Sequence, residues 1–175
     1  MSELKNQISQ FIDTNAKIYQ DISLAIHAKP EVSDFEYFAS QTLSEQLKKE
    51  GFEIELPAAG HRTGFAATYK SKKSGPTVVF LAEYDALAGL GHGCGHNVFG
   101  ATSSLAGAAL KSIVDQIGGE VRVYGTPGEE GGQNGSAKGS FVKKGYLNDV
   151  DFALCTHPGS GSEDGLSTRN YACAP

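Results

Sequence analysis

From Thr77 to Gln116 the sequence passes from an unbroken apolar hexamer, TVVFLA, through the glycine-rich segment Glu83 to Gly95 into an alanine-rich stretch closed by Gly118-Gly119. Such a hexamer suits a strand covered on both faces. Leu105, Leu110, Ile113 and Val114 among alanines suit a helix packed closely on that strand. A strand that hands over to a helix in this way begins a β-α-β unit and restricts the chain to α/β architectures. In the loop itself, His92, Cys94 and His96 alternate with Gly91, Gly93 and Gly95. Alternate residues of an extended segment point the same way, so the three are placed to face one spot, as metal ligands do. The glycines permit turns and close approach that other residues forbid, and Asn97 is the expected N-cap of the helix. His92 is explained as well by core packing as by ligation, and Cys94 taken alone reads as a small hydrophobe. Glycines at 89, 91, 93 and 95 lack the GxGxxG spacing of a dinucleotide site, so a nucleotide-binding oxidoreductase is the weakest reading.

The flanking sequence completes the pattern. Leu4, Ile8, Phe11, Ile12, Ile18, Ile22 and Ile26 recur at helical spacing from about Glu3 to Ala28, with His27 at the end to bond free carbonyls. Ser33 and Glu36 form a capping-box pattern opening a helix from Asp34 to Glu50, stopped by Gly51. Strands are expected at Phe52 to Leu56, Gly64 to Lys70 and Thr77 to Ala82, the last two joined as a hairpin by SKKSGP. Glu120 to Gly125 and Val150 to Thr156 read as further strands, with a short helix over Ser136 to Gly145. The whole is an α/β fold with a mixed, mostly parallel sheet and helices on both faces.

At 175 residues a single domain is expected. A net charge of -5 without a basic cluster argues against nucleic acid as a partner. No apolar run is long enough for a membrane span, and the opening residues lack a basic start and apolar core, so the cytoplasm is the simplest address. Cys94, Cys155 and Cys173 show no CxxC spacing and are expected as reduced thiols, Cys155 buried within its strand.

The chemistry-bearing residues now fall into register. Asp85 follows one strand, Glu129 and Glu130 in TPGEEGG follow the next, and His157 follows a third, so all converge at the carboxyl edge of the sheet. Cys94, His96, Glu130 and His157 offer sulfur, nitrogen and oxygen donors to zinc or a similar ion. Glu129 is left over, as metal-assisted hydrolysis requires of a base.

AEYDALAGL, GHGCGHN, TPGEEGG and DVDFALCTHPG, in that order and spacing, resemble the amidohydrolase branch of the aminoacylase and carboxypeptidase G-type metallopeptidases, with HxPE at His27 to Glu31 a weaker match. The resemblance implies a zinc-peptidase-like catalytic domain that hydrolyses the amide bond of an N-acyl amino acid or dipeptide, using two divalent ions, zinc, manganese or cobalt. It implies Cys94, His96, Glu130 and His157 as metal ligands, Glu129 as the general base, and Asp85 as a residue that supports a ligand; His92 stays unassigned. Asn97 stands where many members of the branch have Asp. It further implies that residues 1–175 are the amino-terminal part of the catalytic domain, that a lid or dimerisation domain and a final histidine follow, and that the complete protein is a homodimer. A truncated, inactive, metal-binding fragment is the alternative.

Overall fold

The computed structural model describes residues 3–159; Cys173 lies outside them. Three helices come from the predicted periodic segments: α1 (Glu3–Ala28), α2 (Tyr37–Lys49) and α3 (His96–Ile117). The strands are β1 (Glu53–Glu55), β2 (Phe65–Lys70), β3 (Thr77–Ala82), β4 (Glu120–Gly125) and β5 (Phe152–Leu154), and α4 (Ala137–Lys143) lies between the last two. They form one sheet in the order β1-β2-β4-β3-β5. The β1/β2 and β2/β4 ladders are antiparallel and the β3/β4 and β3/β5 ladders parallel, so the sheet is mixed and its parallel half carries the site.

Period-two alternation divides the core. Phe65, Ala67, Ala82, Val121 and Val123 face α1, α2 and α3, whereas Ala66, Val79 and Tyr124 face α4 through Ala137 and Phe141. Helices therefore cover both faces. β5 is an edge strand, and its Phe152 and Leu154 are exposed.

Four local expectations are corrected. β2 and β3 do not form a hairpin, because β4 lies between them and pairs with both. TVVFLA, apolar on both sides, takes an interior place, and SKKSGP instead wraps the start of β4 through bonds from Ser71 N to Gly119 O and from Glu120 N to Pro76 O. The capping box is absent: α2 starts only at Tyr37, past the turn that Ser33 would have capped, and the Glu31 carboxylate instead accepts the amides of Phe38 and Ala39 in the helix's first turn at 3.1 and 3.0 Å. Asn97 is not the N-cap of α3. Gly95 holds that position at φ 83°, while Asn97 donates to Ser23 Oγ and so ties α3 to α1. Cys155 is exposed rather than buried, since it follows an edge strand.

The closeness of α3 to the sheet depends on Gly107, where a Cβ would stand 2.3 Å from Val123 Cγ2, itself fully buried. Gly107→Val is expected to destabilise the chain by about 1–3 kcal/mol through overpacking. Gly139→Ala, in open space on α4, is expected to raise stability by about 0.5–1 kcal/mol by reducing unfolded-state freedom. Denaturant midpoints of the two variants check both signs.

Candidate metal centre

The carboxyl ends of β3, β4 and β5 and the start of α3 meet at one point. Left-handed Gly95 turns the loop into α3, so that Cys94 stays in the loop and His96 enters the first helical turn. Pro158 packs against Gly95, its Cγ 3.1 Å from where a Cβ would stand, and that contact brings His157 over the loop.

His96 is fully buried at the centre. Its Nδ1 lies 2.9 Å from Asp85 Oδ1, which fixes the tautomer by accepting the Nδ1 proton. His157 donates from Nδ1 to the Pro158 carbonyl at 2.6 Å. Each imidazole then presents Nε2 inward: the two Nε2 atoms face one another at 3.2 Å, and Cys94 Sγ lies 3.3 Å from that of His157. Two nitrogen lone pairs at this distance repel unless a proton or a metal ion stands between them. Orientation of a ligating imidazole through its other nitrogen is the usual support for a metal site. The mixed sulfur and nitrogen donors suit zinc or another borderline ion, so the residues fit a divalent metal.

Carboxylates complete the surroundings. Glu130 Oε1 and Glu129 Oε2 each lie 3.9 Å from His96 Nε2, Glu130 turned inward at 18% side-chain exposure and Glu129 outward at 39%. Asp85 spans the site, its Oδ2 accepting from Ser33 Oγ and from the Glu130 amide, both at 2.8 Å. Glu36, fully buried, accepts from Gly128 N at 3.0 Å and from Thr63 Oγ1 at 2.7 Å, and so anchors the TPGEEGG loop to α2. The predicted residues Asp85, Cys94, His96, Glu129, Glu130 and His157 are thus brought together. His92 is not: it stacks on His27 with ring centroids 6.2 Å apart.

Two residues that the sequence did not single out also belong here. Glu83 is 1% exposed, with Oε2 3.0 Å from His96 Nε2, and its other oxygen forms an ion pair with Lys138 of α4. Glu83 was legible in principle, because it precedes Asp85 by two residues and so shares its side of an extended segment. Lys138 comes from another element and carried no such signal.

The electrostatics follow from this crowd of acids. Burial works against a charge on His96, yet its bonds to Asp85 and Glu83 override that and push its pKa up to about 10. Burial and the hydrogen bond to Glu130, with the charges of Glu130, Glu129 and Glu83, push the Cys94 thiol up to about 12. Without a cation the site holds protons tightly.

The fold and donors define a class: an α/β protein whose cysteine, histidine and carboxylate side chains meet at the carboxyl edge of its parallel strands in an arrangement that fits a divalent metal. No model of a protein family matches the chain. One of the two p-aminobenzoyl-glutamate hydrolase subunits of Escherichia coli K12 is 36% identical over 177 residues, covering 90% of this chain and 36% of the relative. Xaa-Arg dipeptidase of Mus musculus is 33% identical over 172 residues, covering 89% of this chain and 38% of the relative. A dinuclear metal-binding peptidase of the M20 family from Bacillus subtilis shares the fold with a TM-score of 0.65 at 24% identity, over 81% of this chain and 42% of that one. The chain belongs to the M20 family of amidohydrolases and peptidases, and it spans well under half the length of these relatives.

The raised pKa of His96 has a consequence for stability. Unfolded, the group titrates near 6.5; folded and free of metal, it titrates at about 10. The stability it contributes is complete below pH 6.5 and is lost as the pH rises towards 10. The thermal midpoint of chelator-treated protein is expected to fall between pH 6.5 and 9, less steeply in Asp85→Asn. Calorimetry across that window checks it, and a flat midpoint contradicts the imidazolium.

Proposed function

We propose that the protein containing this chain hydrolyses the amide bond of an N-acyl amino acid or dipeptide, using water activated at a pair of divalent ions: zinc, manganese or cobalt. The observation that carries the reading is the convergence of Cys94, His96 and His157 beside an outward-facing carboxylate, Glu129. Cys94, His96, Glu130 and His157 are the assigned ligands. Bound there, the ions supply Lewis acidity, lowering the pKa of a water and polarising the scissile carbonyl.

The chain's own groups do the rest. Glu129 takes the proton of the attacking water and returns it to the leaving amine. Burial and the charge of Glu83 raise its pKa, which brings its basicity nearer neutral pH. Asp85 holds His96 in one tautomer and, through the Glu130 amide, fixes the loop that carries both glutamates. Support for the substrate class comes from the two relatives, one named for hydrolysis of p-aminobenzoyl-glutamate and the other for Xaa-Arg dipeptides.

The reading takes residues 1–175 as the amino-terminal part of the catalytic domain, with the lid or dimerisation domain and a final histidine outside it and a homodimer as the complete form. Its support is the share of each relative that the chain spans, 36% and 38%. We place the protein in the cytoplasm with small-molecule substrates and neither nucleic acid nor membrane as a partner; no helix among the described residues is long and apolar enough to cross a bilayer.

In the complete protein, Glu129→Gln is expected to lower kcat by about 10²–10⁴ while retaining the metal, because an amide cannot accept the proton. Glu130→Gln is expected to lower metal content instead. Turnover and metal analysis on both decide the roles, and normal turnover in Glu129→Gln contradicts them. Residues 1–175 alone are expected to bind ions yet hydrolyse N-acyl amino acids and dipeptides only at background. Metal-dependent turnover equal to that of the complete protein overturns the domain assignment.

A further inference from the structure

Glu83 is the most deeply buried carboxylate at the centre without a role in the reading above. It is 1% exposed, and neither oxygen has a hydrogen-bond partner among the described residues apart from its charge contacts to His96 and Lys138. A buried carboxylate held this way is expensive unless a cation meets it. Two donors, each about 2.0–2.3 Å from one ion, stand about 2.8–3.7 Å apart for angles from octahedral to tetrahedral. The 3.0 Å from Glu83 Oε2 to His96 Nε2 falls in that range, as do the 3.2 Å between His96 and His157 and the 3.3 Å between Cys94 and His157.

His96 has one inward lone pair, since its other nitrogen serves Asp85, and so it binds one ion only. Yet two donor clusters share it: Cys94, His96 and His157 on one side, and Glu83, His96 and Glu129 on the other. His96 therefore shares its ion with Glu83 or with His157, and the donors it does not serve are left for the second ion. In the second cluster the buried carboxylate is the one suited to ligation, which leaves the 39%-exposed Glu129 free to meet water.

We propose that Glu83 ligates one ion of the pair and that Lys138 balances its charge until the ion arrives. This rests on the functional reading only in assuming that the centre binds divalent metal. An ammonium and a dication repel at the same carboxylate, so metal entry displaces Lys138, whose side chain at 35% exposure on the short helix α4 has solvent to move into. Glu83 thereby joins Cys94, His96, Glu130 and His157 as a ligand, and Lys138 is a positioning residue.

The test is calorimetric titration of the chain with zinc, and separately with manganese, together with dialysis to count bound ions. Glu83→Gln is expected to lose one of two ions, or to weaken that ion at least tenfold. Lys138→Met is expected to tighten the same ion several-fold, because its competitor is gone. Should Glu83→Gln fail to fold, the double variant Glu83→Gln/Lys138→Met, which removes both charges, is expected to show the same loss. If the pair is only a structural salt bridge, the single variants lower the metal-free melting temperature and leave stoichiometry and affinity at wild-type values, which overturns the proposal. A wild-type chain that binds neither metal overturns it together with the functional reading, whereas wild-type binding that survives unchanged in Glu83→Gln and in the double variant overturns this proposal alone.

Discussion

The bond between Asp85 and His96 is the contact on which the rest of the centre depends. Asp85 sits just past the end of β3 and uses both oxygens: one takes the His96 Nδ1 proton at 2.9 Å, the other accepts from Ser33 and from the Glu130 amide, both at 2.8 Å. One buried side chain thereby ties together the α1–α2 connection, the loop after β4 and the first turn of α3. Removing it would do more than free an imidazole. It would leave the Glu130 amide without its partner and the His96 Nδ1 with only the Asp85 carbonyl at 3.1 Å, and loosen the segment that carries Glu129 and Glu130.

A second constraint is charge. Glu83, Asp85, Glu129 and Glu130 crowd around His96, and among the described residues the cations facing them are His96 itself, when protonated, and Lys138. Such a centre is stable only with positive charge inside it. The high pKa of His96, the high pKa of Cys94 and the Lys138 ion pair are three expressions of that demand. A divalent ion meets it more completely, because it neutralises carboxylates and stabilises a thiolate at once. The same excess of acid that makes the metal-free site hold protons therefore suits it to a divalent ion.

Much of this was legible in the sequence, and the reasons are specific. β3 was read at its full observed length because an unbroken apolar hexamer has few alternatives, and α1 because its apolar period persists over seven turns. Cys94, His96, Glu129, Glu130 and His157 were gathered correctly because each follows a strand in a parallel run, so topology alone brings them to one edge. Pairing order was harder: SKKSGP looks like a hairpin turn, but the partner that separates β2 and β3 lies some forty residues later. The Ser33–Glu36 pattern misled because tertiary contacts claimed both side chains. Lys138 could not have been found, since nothing local to α4 marks it as facing β3.

The central claim is that Cys94 and His96 bind metal together. X-ray absorption at the zinc edge of the zinc-loaded chain tests it most directly. The account predicts one sulfur neighbour at about 2.3 Å and nitrogen or oxygen neighbours at about 2.0–2.2 Å, with the sulfur absent in Cys94→Ser and the imidazole scattering reduced in His96→Ala. A shell of oxygen and nitrogen alone, unchanged by Cys94→Ser, would contradict it.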